Sequence, residues 1–92
     1  MKILNERETL KELSEIEGWI FNNNTIKKIY RFKTYMDSIS FINRLAAQAE
    51  KINHHPDMIV GWCEIEILFT SHEQGGVTSN CIKMAKKADS LI

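Results

Sequence analysis

The amino-acid sequence predicts an α+β fold with elements in the order αββαββα, in which a four-stranded antiparallel sheet carries helices packed on one face. Three patterns lead to this prediction: β-type runs on either side of an asparagine turn, a long segment with an apolar stripe at helical spacing, and a run of alternating residues. A chain of 92 residues has the size of one domain, which we expect to span residues 1–92.

The first helix is predicted over residues 5–13, which are rich in Glu, Arg, Lys and Leu. Leu10 and Leu13 lie one turn apart and Ile16 follows, as on the apolar face of an amphipathic helix. Gly18 then indicates that the helix has ended.

A hairpin and the longest helix come next. The asparagines at 22–24 indicate a turn between β-type runs at 19–21 and 25–32, so we expect these runs to pair. Residues 35–49 follow, with apolar side chains recurring every three or four positions, which predicts a helix with one buried face. That face is expected to comprise Ile39, Ile42, Leu45, Ala46 and Ala49.

Two strands and a final helix complete the order. Residues 58–60 and 63–70 have β-type composition, and the second run alternates apolar residues with glutamates, as in a strand with one wet face. Glycines at 75–76 break the chain, and Thr78 is placed to cap the last helix. The side chains expected to be buried by that helix are Ile82, Ala85, Ala88 and Ile92.

Composition excludes several classes of protein. Twelve Lys and Arg balance twelve Asp and Glu, so the chain lacks the basic face that direct nucleic-acid binding requires. The N-terminal residues become charged too early for a signal peptide, and no apolar run approaches the roughly 20 residues of a membrane span. We therefore expect a soluble, cytoplasmic protein. Cys63 and Cys81 are too few for a disulfide scaffold and are expected to be reduced thiols in or near the core.

Histidine placement is the most informative feature for function. All three histidines, His54, His55 and His72, lie in one short stretch, and histidine exchanges protons near neutral pH. The first two precede a predicted strand and the third follows its antiparallel neighbour, so the three can converge. His55 precedes Pro56, which favours extended backbone and sends adjacent side chains to opposite sides. Acid and base catalysis by imidazole is therefore the leading chemical hypothesis.

The spacing around these histidines resembles that of the pterin-4a-carbinolamine dehydratases, also known as dimerisation cofactors of a homeodomain transcription factor. The family pattern has a charged residue, His-His-Pro, an aromatic residue and a further His at fixed intervals. The residues that match it are Glu50, His54, His55, Pro56, Trp62 and His72, followed by Glu73, Gly76 and Thr78.

This resemblance implies dehydration of 4a-hydroxytetrahydropterin to quinonoid dihydropterin, in tetrahydrobiopterin recycling, with the pterin as substrate and neither a metal nor a cofactor. By similarity, His55 and His72 are the main acid and base residues, and His54 assists or binds substrate. The residues implied in substrate binding are Glu50, Asn53, Trp62, Thr70, Ser71 and Glu73. Family members assemble as dimers and tetramers, so a homodimer or homotetramer is expected, and a transcription-factor partner is possible by the same resemblance.

The sequence departs from the family pattern at three positions. Cys81 stands where the family commonly has Asp, three residues into the last helix, so a capping-box acid is lost there. Asn53 replaces the Asp of animal members and brings no charge beside the paired histidines. Ser71 stands where Thr is usual.

Other interpretations stay open at this point. A zinc site could use His54 or His55 with His72 and a cysteine or Glu73, although no helical His-x-x-x-His or Cys-x-x-Cys spacing is present. The domain could instead be a non-catalytic binding module for a transcription regulator. Glu50 could be a solvated carboxylate at a helix end, and Trp62 could serve packing instead of substrate binding.

Overall fold

The structure, a computed structural model, describes residues 2–92. Its elements are α1 (Glu6–Leu13), β1 (Ile20–Asn22), β2 (Thr25–Arg31), α2 (Tyr35–Ile52), β3 (Asp57–Gly61), β4 (Glu64–Phe69) and α3 (Ser79–Ser90). The order is αββαββα and all strand pairs are antiparallel, so the predicted α+β fold is confirmed. No helix within residues 2–92 is long and apolar enough to cross a membrane.

The four strands form one sheet in the order β1-β2-β4-β3. Asn23 and Asn24 close the β1–β2 hairpin with φ of 51° and 58°, a conformation that asparagine tolerates better than most residues. In β4 the predicted alternation is confirmed, because Ile65, Ile67 and Phe69 are buried and face the helices. The strand β3 lies at one edge of the sheet and pairs only with β4.

Helices α2 and α3 cover the apolar face of the sheet. The residues that α2 buries are Ser38, Phe41, Leu45 and Ala49, and those that α3 buries are Cys81, Ile82, Met84, Ala85 and Ala88. Thr78 is the N-cap residue of α3, as predicted. Apolar burial on this scale, at about 25 cal/mol per Å², is the main favourable term in folding.

Several apolar residues lie on the solvent side, contrary to the prediction. In α1 the buried residues are Thr9 and Leu13, and Leu10 is 51% exposed, because positions 9 and 13 lie one turn apart on the same side of the helix. Ala46 is exposed and Ile39 only half-buried, since the buried stripe of α2 runs through Phe41 and Leu45. Ile92 is 69% exposed because α3 ends two residues before it, at Ser90.

The ends of the strands also differ from the prediction. Trp19 precedes β1 and is buried in the core instead of pairing in the strand. The strand β4 begins at Glu64, because Cys63 has φ of 57° and belongs to the tight turn that joins β3 to β4. Both cysteines are free and buried, as predicted.

A carboxylate near the end of α3 joins that helix to the first hairpin. Asp89 accepts hydrogen bonds from Trp19 Nε1 at 3.1 Å, from Lys28 Nζ at 2.9 Å and from the Tyr30 hydroxyl. Burial, the hydrogen bond to Asp89 and its charge together raise the pKa of Tyr30 well above its usual range, so the hydroxyl remains a donor. These contacts hold the end of α3 against β1 and β2.

Candidate active site

The three histidines lie at one end of the β3–β4 hairpin. His54 and His55 occupy the connection from α2 to β3, and His72 lies in the loop after β4. Asp57 at the start of β3 is paired with Leu68 near the end of β4, so the connection before β3 and the loop after β4 lie at the same end of the hairpin. Burial, and then the charges of His55 and His72, lower the pKa of His54, so both of these rings are near enough to His54 to affect its titration.

The left-handed backbone of Asn53 creates the turn that leads into this region. Asn53 ends α2 with φ of 56° and ψ of 45°, and its N–H donates to the carbonyl of Ala49. The N–H of His54 donates to the same carbonyl at 3.1 Å. Asparagine is among the few residues that adopt this conformation readily. Asn53 therefore ends α2 and turns the chain towards β3, a structural role separate from the substrate binding that the family resemblance implies.

His54 points inward from this turn. Its ring is half-buried and stacks on Phe69, with centroids 6.1 Å apart and an interplanar angle of 16°. Nε2 of His54 lies 3.2 Å from Sγ of Cys81 in the first turn of α3. Burial raises the pKa of the Cys81 thiol, so the sulfur is protonated at neutral pH.

His55 points outward and contacts Glu50 in the last turn of α2, with Nε2 against a carboxylate oxygen. The side chains of both residues are solvent-accessible. The two adjacent histidines thus have different partners and lie on different sides of the chain.

His72 contacts a carboxylate that the sequence analysis did not single out. Its Nε2 lies 3.1 Å from Oδ2 of Asp57, across the open end of the hairpin. The signal was present in the sequence, because Asp57 directly follows Pro56 at the start of one strand and His72 follows the end of its antiparallel neighbour.

These contacts determine which ring nitrogens are available. An ionised carboxylate only accepts hydrogen bonds, so Nε2 of His55 and Nε2 of His72 must each carry a proton in their contacts with Glu50 and Asp57. In a neutral ring Nδ1 then has the free lone pair. Two imidazoles with oriented Nδ1 atoms can accept or deliver protons at neutral pH.

The loop after β4 is organised by its own backbone. Ser71 N–H donates to the carbonyl of Gly76 at 2.8 Å, and the Ser71 hydroxyl accepts from the N–H of Gln74 at 3.1 Å. The Thr70 hydroxyl donates to the carbonyl of Asn24 at 2.7 Å, which joins this loop to the first hairpin. Glu73 is exposed at the loop surface. The hydroxyls of Thr70 and Ser71 therefore already have backbone partners.

Trp62 is the one expected site residue that the fold places away from the histidines. It lies in the turn between β3 and β4, at the opposite end of the hairpin from Asp57 and His72. At about 3.3 Å per residue along β3, Trp62 is roughly 15 Å from Asp57. It is 81% exposed, so it does not pack in the core of this chain either.

The histidines lie on an open surface. A cleft of about 550 Å³ lies between α1 and α3 and another of about 360 Å³ lies against β2, and no histidine lines either of them. Within residues 2–92, no three His, Cys, Asp or Glu side chains are grouped as metal ligands.

Comparison with known proteins assigns the chain to a family. The sequence model described as pterin 4 alpha carbinolamine dehydratase matches residues 2–91. A protein of Sulfolobus acidocaldarius, which carries a provisional name as a pterin-4-alpha-carbinolamine dehydratase, is 35% identical over 88 residues, covering 96% of this chain and 97% of that protein. A protein of Aquifex aeolicus with the same provisional name is 38% identical over 89 residues, covering 97% of this chain and 90% of that protein.

Solved structures share the fold. The crystal structure of a transcriptional coactivator/pterin dehydratase from Brucella melitensis superposes with a TM-score of 0.93 at 28% identity, covering 98% of each chain. A pterin dehydratase-like protein described as a RuBisCO assembly factor of the alpha-carboxysome has the same fold, with a TM-score of 0.69 at 20% identity over 83% of this chain and 90% of that one. With the family match over nearly its whole length, the chain belongs to the pterin 4 alpha carbinolamine dehydratase family.

Proposed function

We propose that the protein is a 4a-hydroxytetrahydropterin dehydratase, a hydro-lyase that forms quinonoid dihydropterin and water. The observation that carries the proposal is the position of His54, His55 and His72 at one end of the β3–β4 hairpin, with a carboxylate against two of the rings. Family membership supports the substrate class.

The reaction requires two proton transfers. The C4a–O bond of the carbinolamine breaks as the departing hydroxyl receives a proton and leaves as water, and a base removes the proton of N5, whose electron pair forms the new C4a=N5 bond. His55 and His72 perform these transfers through Nδ1, because Nε2 of each ring is held by Glu50 or Asp57. Imidazole can supply both the acid and the base near neutral pH.

Substrate contacts belong to the residues around these rings. Glu50 orients His55 or holds the pterin, and Asn53, Thr70, Ser71 and Glu73 border the ring-binding surface from the two connections. A role in tetrahydrobiopterin recycling and a cytoplasmic location stay predictions of the sequence.

The test is the decay of the ultraviolet absorbance of 4a-hydroxytetrahydropterin with purified protein, with chelator present. We expect fast decay with wild type, and a loss of about 100-fold or more in His55→Ala and in His72→Ala, the size of a lost general acid or base. Gln74→Ala is the control, since Gln74 is an exposed neighbour in the same loop. Wild-type decay at the uncatalysed rate contradicts the proposal.

A second candidate function is favoured by one observation. The Brucella melitensis structure, at 28% identity, is described as a transcriptional coactivator as well as a pterin dehydratase. If this chain is instead a non-catalytic binding module for a transcription regulator, the absorbance will decay at the uncatalysed rate, and the same assay therefore separates this function from the dehydratase.

We also propose that the chain acts as a homo-oligomer assembled through β3. This strand pairs on one side only, and Ile59 and Val60 are 61% and 46% exposed. It contains no proline, lysine or bulge of the kind that blocks pairing at exposed edges. A second copy of β3 can therefore pair with it in antiparallel orientation.

Such pairing would complete the open histidine surface. In a two-fold arrangement centred on Ile59, Trp62 of the second copy lies opposite Pro56, next to His55. This would bring the aromatic residue of the family pattern to the histidines even though it lies at the other end of the hairpin in its own chain.

Mixing two inactive variants tests this arrangement. When Trp62→Ala and His72→Ala chains are unfolded together and refolded, half of the dimers are mixed and each has one complete site, so about a quarter of wild-type activity returns. If Trp62 acts within its own chain, or not at all, mixing adds nothing to the activity of the separate variants.

A further inference from the structure

The contact between His54 and Cys81 has no counterpart at the other two histidines. Glu50 and Asp57 are carboxylates and accept hydrogen bonds from His55 and His72, whereas Cys81 offers a thiol. Cys81 is completely buried, and its Sγ lies 3.2 Å from Nε2 of His54. The direction of this hydrogen bond decides which nitrogen of His54 carries the proton.

The surroundings of the sulfur favour donation by the thiol. The backbone N–H of Thr78 already donates to Sγ at 3.5 Å, in the place where a capping-box acid would accept it. Burial raises the pKa of the thiol, so its proton is present, and burial lowers the pKa of His54, so the ring is neutral with one free lone pair. A neutral imidazole nitrogen is a good acceptor, whereas a thiol sulfur is a weak one.

The hydroxyl of Thr78 is the other group near the thiol, with Oγ1 3.8 Å from Sγ. That separation is longer than the 3.2 Å to His54, and the Thr78 hydroxyl can itself donate to the sulfur. His54 Nε2 is thus the nearer and the stronger acceptor for the S–H group.

We propose that Cys81 is a positioning residue that donates its S–H to Nε2 of His54 and so holds this ring in the Nδ1–H tautomer. Within residues 2–92, Nδ1 of His54 has no hydrogen-bond partner, and no buried side-chain nitrogen or oxygen there lacks one, so Nδ1 reaches solvent. His54 therefore presents an N–H donor to solvent, whereas the Nδ1 atoms of His55 and His72 are acceptors.

This assignment divides the three histidines by function. In the proposed dehydratase reaction, His54 is a hydrogen-bond donor that binds the pterin or its departing hydroxyl, and only His55 and His72 exchange protons with the substrate. The tautomer itself does not depend on that activity, because it follows from contacts within the folded chain.

Long-range ¹H–¹⁵N NMR of the uniformly labelled protein at pH 8, without substrate, tests the tautomer. We expect the wild-type His54 ring to show a protonated Nδ1 and an unprotonated Nε2. In Cys81→Ala it should revert to the Nε2–H form that predominates for a free histidine side chain in water. Cys81→Ser, which keeps a donor, should retain the wild-type pattern. Cys63→Ala is the matched control, because Cys63 is the other buried cysteine and lies in the β3–β4 turn.

If the wild-type spectrum shows the Nε2–H form of His54, the proposal is wrong. This spectrum requires no variant, so the proposal is tested even if Cys81→Ala folds poorly. An unchanged Nδ1–H pattern in a folded Cys81→Ala protein would overturn it as well. The spectra contain no substrate, and therefore inactivity in the absorbance assay leaves this result intact.

Discussion

At the level of single residues, the three histidines differ by what each one touches. His54 meets a thiol, His55 a carboxylate of α2 and His72 a carboxylate of β3. Because the partner decides which ring nitrogen is protonated, three chemically identical side chains acquire different capacities to donate and accept protons. A list of histidines in a sequence cannot distinguish these capacities.

Asp57 is expected to matter for catalysis without mattering much for stability. Asp57→Ala removes the acceptor that orients His72, and we expect kcat to fall about tenfold or more, a part of the full contribution of a general acid or base. The carboxylate is largely exposed, so the free energy of unfolding should change by less than about 0.5 kcal/mol. Asp57→Asn, whose amide oxygen can still accept, should recover part of kcat.

The control for this variant is Asp37→Ala, since Asp37 is exposed in the first turn of α2. Equal kcat values for Asp57→Ala and wild type would contradict a role for Asp57 in orienting His72.

Titration of His54 is expected to make the free energy of unfolding depend on pH. Its folded pKa is lowered, by burial and then by His55 and His72, below the ordinary value of 6.5. The unfolded chain therefore binds more protons between the two values, and stability falls as the pH drops from about 6.5 through the folded pKa. The groups that face this ring are His55, His72 and the Cys81 thiol.

Urea unfolding at pH 8 and pH 5 measures the effect. We expect the wild type to lose more stability between these values than His54→Gln, in which the titrating ring is absent. Equal losses in the two proteins would mean that His54 titrates alike in the folded and unfolded chain.

Among the helices, α3 makes side-chain contacts near both of its ends with residues distant in sequence. Cys81 in its first turn reaches His54, 27 residues away, and Asp89 near its end reaches Trp19, 70 residues away. A carboxylate near a helix C-terminus is unfavourable for the helix dipole, and the three donors from the hairpin compensate for it. The first turn of α3 thus contacts the candidate site at His54, and its last turn is bonded to the first hairpin region.

Asp89→Ala should be strongly destabilising because it leaves Trp19, Lys28 and Tyr30 without their common acceptor. We expect a loss of about 2 kcal/mol or more in the free energy of unfolding, the cost of leaving buried donors unpaired. Denaturant unfolding of Asp89→Ala and of the exposed control Glu15→Ala measures it, and Glu15→Ala should stay within about 0.5 kcal/mol of wild type. Similar stability in both variants would show that the Asp89 contacts contribute little.

For the molecule as a whole, the proposed assembly concerns β3, which is one of the two edge strands of the sheet. A chain of 92 residues buries a limited fraction of its surface, so assembly would add apolar burial that the single chain lacks. The unpaired side of β3 is a five-residue edge at which the backbone of a second chain can extend the sheet, whereas the other edge strand, β1, has only three residues.

Ile59→Lys tests that edge directly. A lysine there places like charges opposite each other at the centre of the proposed two-fold pairing, so we expect light scattering to give the mass of a monomer for Ile59→Lys and of a dimer or tetramer for wild type. Met36→Lys is the control, because Met36 is 70% exposed on α2, away from β3. An oligomer that persists in Ile59→Lys would place the interface elsewhere.

Local sequence patterns were sufficient to predict the element order, the first hairpin turn and the inner face of β4. Each depends on neighbours in the chain. These are the period of apolar residues, the tolerance of Asn23 and Asn24 for positive φ, and the two-residue spacing of Ile65, Ile67 and Phe69. The family followed from short, fixed spacings of the same local kind.

The pairings among side chains came only from the packed structure. Cys81 contacts His54 because α3 packs on the sheet. Asp57 contacts His72 because the register of β3 and β4 places the start of one strand beside the end of the other. The same register places Trp62 at the far end of the hairpin, away from the histidines. These distances between side chains cannot be predicted from the spacing of residues along the chain. Helix packing and strand register depend on burial of the whole apolar surface and not only on neighbouring residues.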